Sequence, residues 1–582
     1  MKNKKVIFML LVFFTLLFLG VNRDIAAANK LDFSYIDNGN SITITKYIGN
    51  SIEAIIPEKI KNKPVTELTQ YTFSESQQLK TVTIPSSVEQ INENSFENCS
   101  MLERINVSKD SKYLSTEDGV LFNKEKTILI SFPQAKAGSY TIPEKVEKIE
   151  SMAFSYCKSI TSITLSKNIS VINEIAFIGC MNLTAINVSD SSDFFASEDG
   201  VLFNKDKTEL ISCPNGKRGN YAIPSSVKTI GNSAFCQCQD ITSITIPESV
   251  NYINDFAFFG CKGLSDITIP SSVYNIGYKT FGYCDNLINV SLSSTLKSTG
   301  VGSFAACKKI SKIVIPEGIE IIDGSTFSEC ENLKEVILPN SVEVIDDNAF
   351  MDCSNLRKIN FSNKLTTIGR CAFSGCISLI KVNIPSNVSL IGDMAFANLQ
   401  SLTSFTVDKK SQYFQSIDGV LFDKYKKVLM QYPSGKKGNY TIPTSVEIIE
   451  LGAFSDCGNL TSITITNCIK EIRPHAFQSC TKLKKVVLPN KISEIGEGTF
   501  QMCSNLDSVV IPASVQNIGD RAFMECEALK TAYFYGDAPA LGYFSFEYVN
   551  KQLVCYYLKN SKGFSNPWNG LSTKEFNGEN PI

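Results

Sequence analysis

The chain has 582 residues, of which 20% are charged, and its formal net charge is −2 at pH 7. This near balance gives no electrostatic reason to bind nucleic acid or an anionic membrane, so we expect neither as a partner. A single histidine removes the usual base of most nucleophilic mechanisms, which argues against a hydrolase of that kind.

The first 28 residues have the layout of a signal peptide. Three lysines precede an apolar run from Val6 to Val21, and Ala26 to Ala28 then supply small residues for cleavage. We therefore expect a secreted or cell-surface protein with no membrane span once the signal is removed. The alternative is that the apolar run stays as an anchor, since it is just long enough to span a bilayer.

Residues 29–70 are predicted to form an N-terminal cap. The segment from Ile42 to Thr45 alternates apolar and polar residues as a half-buried strand does. The first coil of a repeat array must cover an otherwise exposed apolar end, so a divergent start is expected there.

A 23-residue period runs through residues 71–549. It is marked by 17 regularly spaced phenylalanines, and every step between them is 23 or 58 residues. Such a period predicts a solenoid of stacked coils. The anchors are Phe73, Phe96, Phe154, Phe177, Phe235, Phe258, Phe281, Phe304, Phe327, Phe350, Phe373, Phe396, Phe454, Phe477, Phe500, Phe523 and Phe546.

The stretch Leu264 to Cys284 shows the chemistry of one coil. Ile267 and Ile269 alternate with Asp266 and Thr268, which predicts a short strand with one buried face. Stacking such coils buries what one coil cannot. We predict a β-rich leucine-rich repeat solenoid, with one short parallel strand per coil and short helical or irregular returns.

Three insertions lengthen the coils near residues 108–140, 189–221 and 408–440. Each contains Asp-Gly-Val-Leu-Phe, as at 118–122, and then an apolar strand and a proline. We interpret each as a β-hairpin that packs on the solenoid, while a role in ligand binding stays open. Residues 550–582, with Trp568, are predicted to form a C-terminal cap and tail.

These repeats resemble the BspA-like leucine-rich repeats, a class found on secreted and surface proteins of bacteria and some protozoan parasites. The pattern L-x-x-I-x-I-P…A-F-x-x-C, as in Leu333 to Cys353, carries the resemblance over roughly residues 65–550. The resemblance implies a non-enzymatic protein. It also implies binding to host extracellular proteins, epithelial cells or other bacteria, without a transferable set of binding residues.

The chemistry-bearing residues favour structural roles. Fourteen of the 19 cysteines follow an anchor phenylalanine by three residues, which suits a ladder of small buried side chains better than disulfides or zinc ligands. The Asp-Gly pairs at 118, 199 and 418 are interpreted as turns, with calcium as the alternative. We assign no catalytic residue, metal or cofactor, although a two-carboxylate glycan-processing site remains a distant alternative.

The candidate binding surface lies on the outward strand positions. Most of these are Thr, Ser or Asn, but Val314 with Ile337, and Val487 with Val510 and Tyr533, place apolar residues on consecutive coils. Neighbouring apolar side chains on a solvated face indicate a contact patch, unless a flanking segment covers them.

The sequence thus predicts an adhesin-like repeat scaffold that binds an extracellular protein or glycan on host matrix, host cells or other cells. The alternative is a structural component of a surface layer that associates with copies of itself.

Overall fold

A computed structural model describes residues 32–579; the predicted signal peptide lies outside the described residues. The chain divides into two compact units, one ending at Asn182 and the other beginning at Leu183. Each unit is a β-solenoid, and the described residues contain strands and turns but no helix.

Each regular coil carries two parallel strands. In the coil of Phe281 the first strand is Asp266–Thr268 and the second is Asn275–Ile276. Each strand pairs with its counterparts one coil away, so the first strands build one sheet face and the second strands build another. The prediction of parallel strands 23 residues apart is confirmed, but a coil has two strands and not one.

The strands of the first unit are short. Its first face consists of Glu53–Ile55, Thr81–Ile84, Arg104–Val107, Gly138–Thr141 and Ile160–Leu165. Its second face consists of Ile42–Tyr47, Lys63–Leu68, Gln90–Ile91, Ile128–Ser131, Lys148–Ile149 and Val171–Ile172. Its remaining strands are Phe33–Asp37, Lys59–Ile60, Leu114–Glu117 and Val120–Asn123.

The second unit repeats the same two faces. Its first-face strands are Ala185–Val188, Gly219–Ala222, Ile241–Thr245, Asp266–Thr268, Asn289–Ser291, Lys312–Val314, Glu335–Ile337, Lys358–Asn360, Lys381–Ile384, Ser404–Val407, Gly438–Thr441, Leu460–Thr464, Lys485–Val487, Ser508–Ile511, Thr531–Phe534, Val554–Leu558 and Ser572–Phe576. Its second-face strands are Glu209–Ser212, Thr229–Ile230, Tyr252–Ile253, Asn275–Ile276, Ile321–Ile322, Val344–Ile345, Thr367–Ile368, Leu390–Ile391, Val428–Gln431, Ile448–Ile449, Glu471–Ile472, Glu494–Ile495, Asn517–Ile518 and Ala540–Leu541. The strands Phe195–Glu198, Val201–Asn204, Phe414–Ile417 and Val420–Asp423 belong to the insertions.

The insertions are built into the coils. In the first, Val120–Asn123 pairs antiparallel with Leu114–Glu117 and with Ile128–Ser131. The last of these strands then pairs in parallel with Lys148–Ile149, so it belongs to the second face. The ring of Phe132 follows it and lies 4.9 Å from the ring of Phe154, which makes the insertion part of the hydrophobic core.

The anchor phenylalanines fill the interior. Phe304 is fully buried, and its ring lies nearly parallel to those of Phe281 and Phe327, at centroid distances of 5.3 and 5.7 Å. Ile267 is buried, whereas Asp266 and Thr268 beside it are exposed, as their alternation predicts. The core is therefore one hydrophobic column per unit segment, built from the same slots in successive coils.

The returns around each phenylalanine are irregular turns and not helices. Two residues in each return have left-handed backbone angles, one two positions before the phenylalanine and one two positions after it. In the coil of Phe281 these are Lys279 at φ 48° and Tyr283 at φ 59°. Since an L-residue in this region costs about 1–2 kcal/mol unless it is Gly, Asn or Asp, these slots favour small turn residues. The helical version of our prediction is wrong because the left-handed residues interrupt every return.

Candidate functional site

An exposed group of aromatic rings lies on the returns of two neighbouring coils. We call Phe256, Phe259, Tyr278 and Tyr283 the aromatic patch. Ring centroids lie 5.6 Å apart for Phe256 and Phe259, 5.2 Å for Phe256 and Tyr278, and 5.2 Å for Phe259 and Tyr283. The two tyrosines are 40% and 43% exposed, so the group presents apolar area and hydroxyls to solvent.

Charge adds to the chemistry of the aromatic patch. The ammonium of Lys279 lies 5.2 Å from the ring centroid of Tyr278, within the range of a cation–π contact. Exposed tyrosine beside a cation is typical of protein-binding surfaces, because it offers a large rigid contact area with a polar tip.

The aromatic patch is not required by the architecture. Phe256 and Tyr283 occupy the left-handed slots of their returns, at φ 56° and φ 59°. Glycine occupies the same two slots in neighbouring coils, at Gly302 and Gly260. A bulky ring at such an angle is backbone strain, and strain of this kind is concentrated at functional sites.

A second exposed aromatic pair lies on the same two coils. The rings of Tyr252 and Tyr274 meet edge to face at 4.7 Å, and both side chains are more than two-fifths exposed. Sequence reasoning missed both groups, because it compared residues 23 positions apart on the first face only. A count of outward aromatic residues along the returns is a signal that finds them.

The structure separates the two apolar groups predicted on the first face. Val314 and Ile337 are register partners on adjacent strands and are 51% and 39% exposed. Val487 is 47% exposed, but its partner Val510 is only 8% exposed. Tyr533 is half-buried, and its ring stacks on that of Tyr556 and meets Phe576 edge to face, at 5.0 and 5.5 Å.

The terminal strands therefore account for part of the second group. Val554–Leu558 and Ser572–Phe576 carry the rings that Tyr533 contacts, which is the flanking cover considered for these residues. The pair Val314 and Ile337 keeps its exposed apolar surface, next to an ion pair of 3.0 Å between Lys312 and Glu335.

All 19 cysteines are free thiols in the structure. In most of the regular coils the sulfur donates to the carbonyl of the phenylalanine one coil back, as Cys284 Sγ does to Phe258 O at 3.3 Å. Burial raises the pKa of Cys284 and of Cys330 to about 12. A neutral, buried, hydrogen-bonded thiol is a packing residue and a poor nucleophile or metal ligand.

The Asp-Gly turns and the histidine also have structural places. Asp118 is in the left-handed region at φ 49°, and its carboxylate pairs with Lys136 Nζ at 2.5 Å. His475 occupies a left-handed slot of its return, at φ 56°. Within residues 32–579, no three His, Cys, Asp or Glu side chains gather as a metal site would require, and no helix there could cross a membrane.

These observations define the class of the protein. A 23-residue coil with two parallel strands, a buried leucine and isoleucine face and an interior phenylalanine column is a leucine-rich repeat β-solenoid. The family model of the BspA type leucine rich repeat region matches residues 42–135, 130–218, 212–334, 320–428 and 432–552. The chain belongs to this family, which confirms the resemblance drawn from its sequence.

Solved structures of bacterial repeat proteins are similar to this chain. A leucine-rich repeat protein from Eubacterium ventriosum is 24% identical, with 61% of this chain and 94% of that one covered and a TM-score of 0.45. One from Bacteroides ovatus is 23% identical, with 80% and 98% covered and a TM-score of 0.39. A leucine rich cell surface protein from Faecalibacterium prausnitzii is 20% identical, with 94% and 97% covered and a TM-score of 0.35. No curated protein matches the chain.

Proposed function

We propose that this protein is a non-enzymatic, secreted or cell-surface scaffold that binds an extracellular macromolecule, in the manner of an adhesin. The aromatic patch is the observation that carries the proposal. Its rings are exposed, mutually packed and placed at backbone angles that the fold itself fills with glycine. The lysine-rich N-terminus followed by an apolar run supports export.

A protein partner fits the aromatic patch best. Interface hot spots are rich in tyrosine and other aromatic residues, and they sit in small clusters surrounded by polar residues. Val314 and Ile337 supply a second, smaller contact on the first face of the same unit.

The test is a binding screen of the secreted chain against purified extracellular-matrix proteins and against cultured epithelial cells. The variant F256N/Y283N removes two rings and supplies a residue that other returns use in these slots, at Asn348 and Asn398. We expect binding to at least one matrix protein or cell type, and a loss of at least tenfold in affinity in the variant.

The matched control is Y425N, because Tyr425 is 80% exposed and lies outside the patch on the turn of the third insertion. This variant should bind as the unchanged protein does. If F256N/Y283N binds equally well, the aromatic patch is not the contact surface, and V314T/I337T then tests the first-face pair. Reversible polymers of the protein alone, without any binding to the panel, would instead favour the self-assembling alternative.

A further inference from the structure

A cleft in the first unit interrupts the stack of coils beside the first insertion. Its volume is about 350 Å³, and it lies between residues 90–97 on one side and residues 128–134 and 150–155 on the other. Within the described chain, Gln90–Ile91 pairs with Lys63–Leu68 and has no strand partner on its other edge. The cleft occupies the place where a second-face strand would pair in a regular coil.

The cleft has hydrogen-bond acceptors without a protein partner. Gln134 lines it and is only 6% exposed, and its amide nitrogen donates to Ser155 O at 3.0 Å. That bond fixes the amide and leaves Gln134 Oε1 buried without a partner, and Asn94 Oδ1 on the opposite side is in the same condition. Buried amide oxygens nearly always have a donor, so both atoms indicate a ligand group that donates.

The charge of the lining argues against anionic ligands. Neither lysine nor arginine lines the cleft, whereas Glu93, Glu97 and Glu150 do. Glu150 is already held by Lys148 Nζ at 2.8 Å and by Asn173 Nδ2 at 3.1 Å. Amides and serine hydroxyls make up most of the remaining polar lining. The cleft therefore suits an uncharged ligand with several donors better than it suits a phosphate, a uronic acid or a strong cation.

The third insertion shows that the fold does not require this cleft. The equivalent space there has a volume of about 50 Å³. Met430 and Gln431 stand where the first insertion has Ile130 and Ser131. Gln431 is only 4% exposed, and its amide nitrogen donates to the carbonyl of Ala453 at 3.2 Å, so a longer side chain fills the space in the same backbone setting.

The polar lining also differs between the two places. Asn94 and Glu97 of the first unit correspond to Met394 and Ala397. These residues share one slot in coils of the same construction, so the amide and the carboxylate of the first cleft are not needed to fold a coil next to an insertion.

We propose that the cleft beside the first insertion binds an uncharged sugar residue at the end or on a branch of a neutral glycan. Sugar hydroxyls donate to Asn94 Oδ1, Gln134 Oε1 and the carboxylate of Glu97. The C–H faces of the ring pack on Ile91, Ile130 and Met152, which line the cleft half-buried. The volume is at the lower end of the range of small-ligand sites.

This site is independent of the aromatic patch, which belongs to the other unit and takes a protein. The two proposals therefore fail separately: F256N/Y283N should leave sugar binding unchanged.

The experiment is an array of neutral oligosaccharides built from glucose, galactose, mannose and N-acetylhexosamines, followed by calorimetric titration of the full chain with the best free sugar. Sulfated and uronic-acid glycans and pentalysine serve as the charged arms. The test variant is I130M/S131Q, which gives the first cleft the side chains that fill the third. The control variant is M430I/Q431S, which makes the reverse exchange in the third insertion.

We expect a neutral sugar to bind, and I130M/S131Q to weaken it at least tenfold while its melting temperature stays that of the unchanged protein. M430I/Q431S and F256N/Y283N should retain full affinity. The proposal is overturned if no neutral sugar binds, if I130M/S131Q binds equally well, or if only an anionic glycan or pentalysine binds in a way that this variant abolishes. If the variant melts lower, E97A supplies the same test without added volume.

Discussion

The coils of Phe258 and Phe281 carry aromatic rings both inside and outside, and the two sets are arranged differently. The interior rings of these phenylalanines lie 5.0 Å apart with an interplanar angle of 3°. Outside, Phe256 and Tyr278 lie 5.2 Å apart at 81°. The interior rings occupy the same slot in each coil, so the translation along the stack makes them parallel. The outer rings occupy different slots, and their contact belongs to these two coils alone.

This contrast separates architecture from function. What recurs in every coil is explained by the need to bury one coil on the next. What occurs once, at a cost in backbone strain, needs another explanation. The same contrast distinguishes the polar cleft of the first insertion from its filled counterpart in the third.

The largest expected effect concerns the interior thiols and alkaline pH. Burial raises the pKa of Cys284 and Cys330 to about 12, whereas an unfolded thiol titrates near pH 8.5–9. Below about pH 8.5 both states hold their protons, so the full stability is present. From there to about pH 12 only the unfolded chain ionises, and each such thiol lowers the free energy of unfolding by about 1.4 kcal/mol per pH unit.

We therefore expect the melting temperature, measured with a reductant present, to fall steeply between pH 8.5 and pH 10.5. The variant C284A/C330A should show a shallower decline than the unchanged protein. An equally steep decline in this variant would contradict the assignment of these thiols as buried and neutral.

The next effect concerns one interior ring. Replacing Phe304 with alanine removes a fully buried side chain between Phe281 and Phe327 and leaves a cavity in the column. We expect F304A to lower the free energy of unfolding by about 3–5 kcal/mol, measured by urea denaturation. Its exterior control is Y283A, which removes a half-exposed ring and should change the free energy of unfolding by less than about 1 kcal/mol. Equal losses in the two variants would remove the distinction between inner and outer rings.

The smallest effect concerns an exterior ion pair. Hydrogen bonds from Lys427 and Lys470 lower the pKa of Glu447 to about 2, with Lys470 Nζ at 2.5 Å from its carboxylate. A lowered pKa contributes stability above the unfolded value near 4.3, and this contribution is lost as the pH falls through about 2. We expect E447Q to lower the melting temperature slightly at pH 7 and not at pH 2, because exposed pairs contribute little. A large change at pH 7 would mean that the surface, and not the column, holds the coils together.

The sequence was sufficient to predict the column. A phenylalanine every 23 residues and a cysteine three residues later fix which slots face inward, since one slot in every coil must meet the same environment. The second strand of each coil was missed because Asn275–Ile276 is only two residues long. Two residues show no alternation, and only pairing between coils defines the strand.

The aromatic patch was beyond a reading by rows. Its contacts join residues 22 or 24 positions apart, such as Phe256 with Tyr278 and Phe259 with Tyr283. Rows drawn at the repeat length place these residues in different columns. Only the geometry of the return brings the neighbouring slots together. The cleft was missed for a similar reason, because its two sides are separated by the first insertion in sequence.

The claim that the outer rings serve contact and not stability is tested most directly by the free energy of unfolding of F256N/Y283N, measured by urea denaturation beside F304A. Both new residues tolerate the left-handed angles that phenylalanine and tyrosine strain to adopt. The variant is expected to lie within about 1 kcal/mol of the unchanged protein, or above it. A loss of about 3 kcal/mol or more, comparable to that of F304A, would make the outer rings part of the architecture and contradict the account.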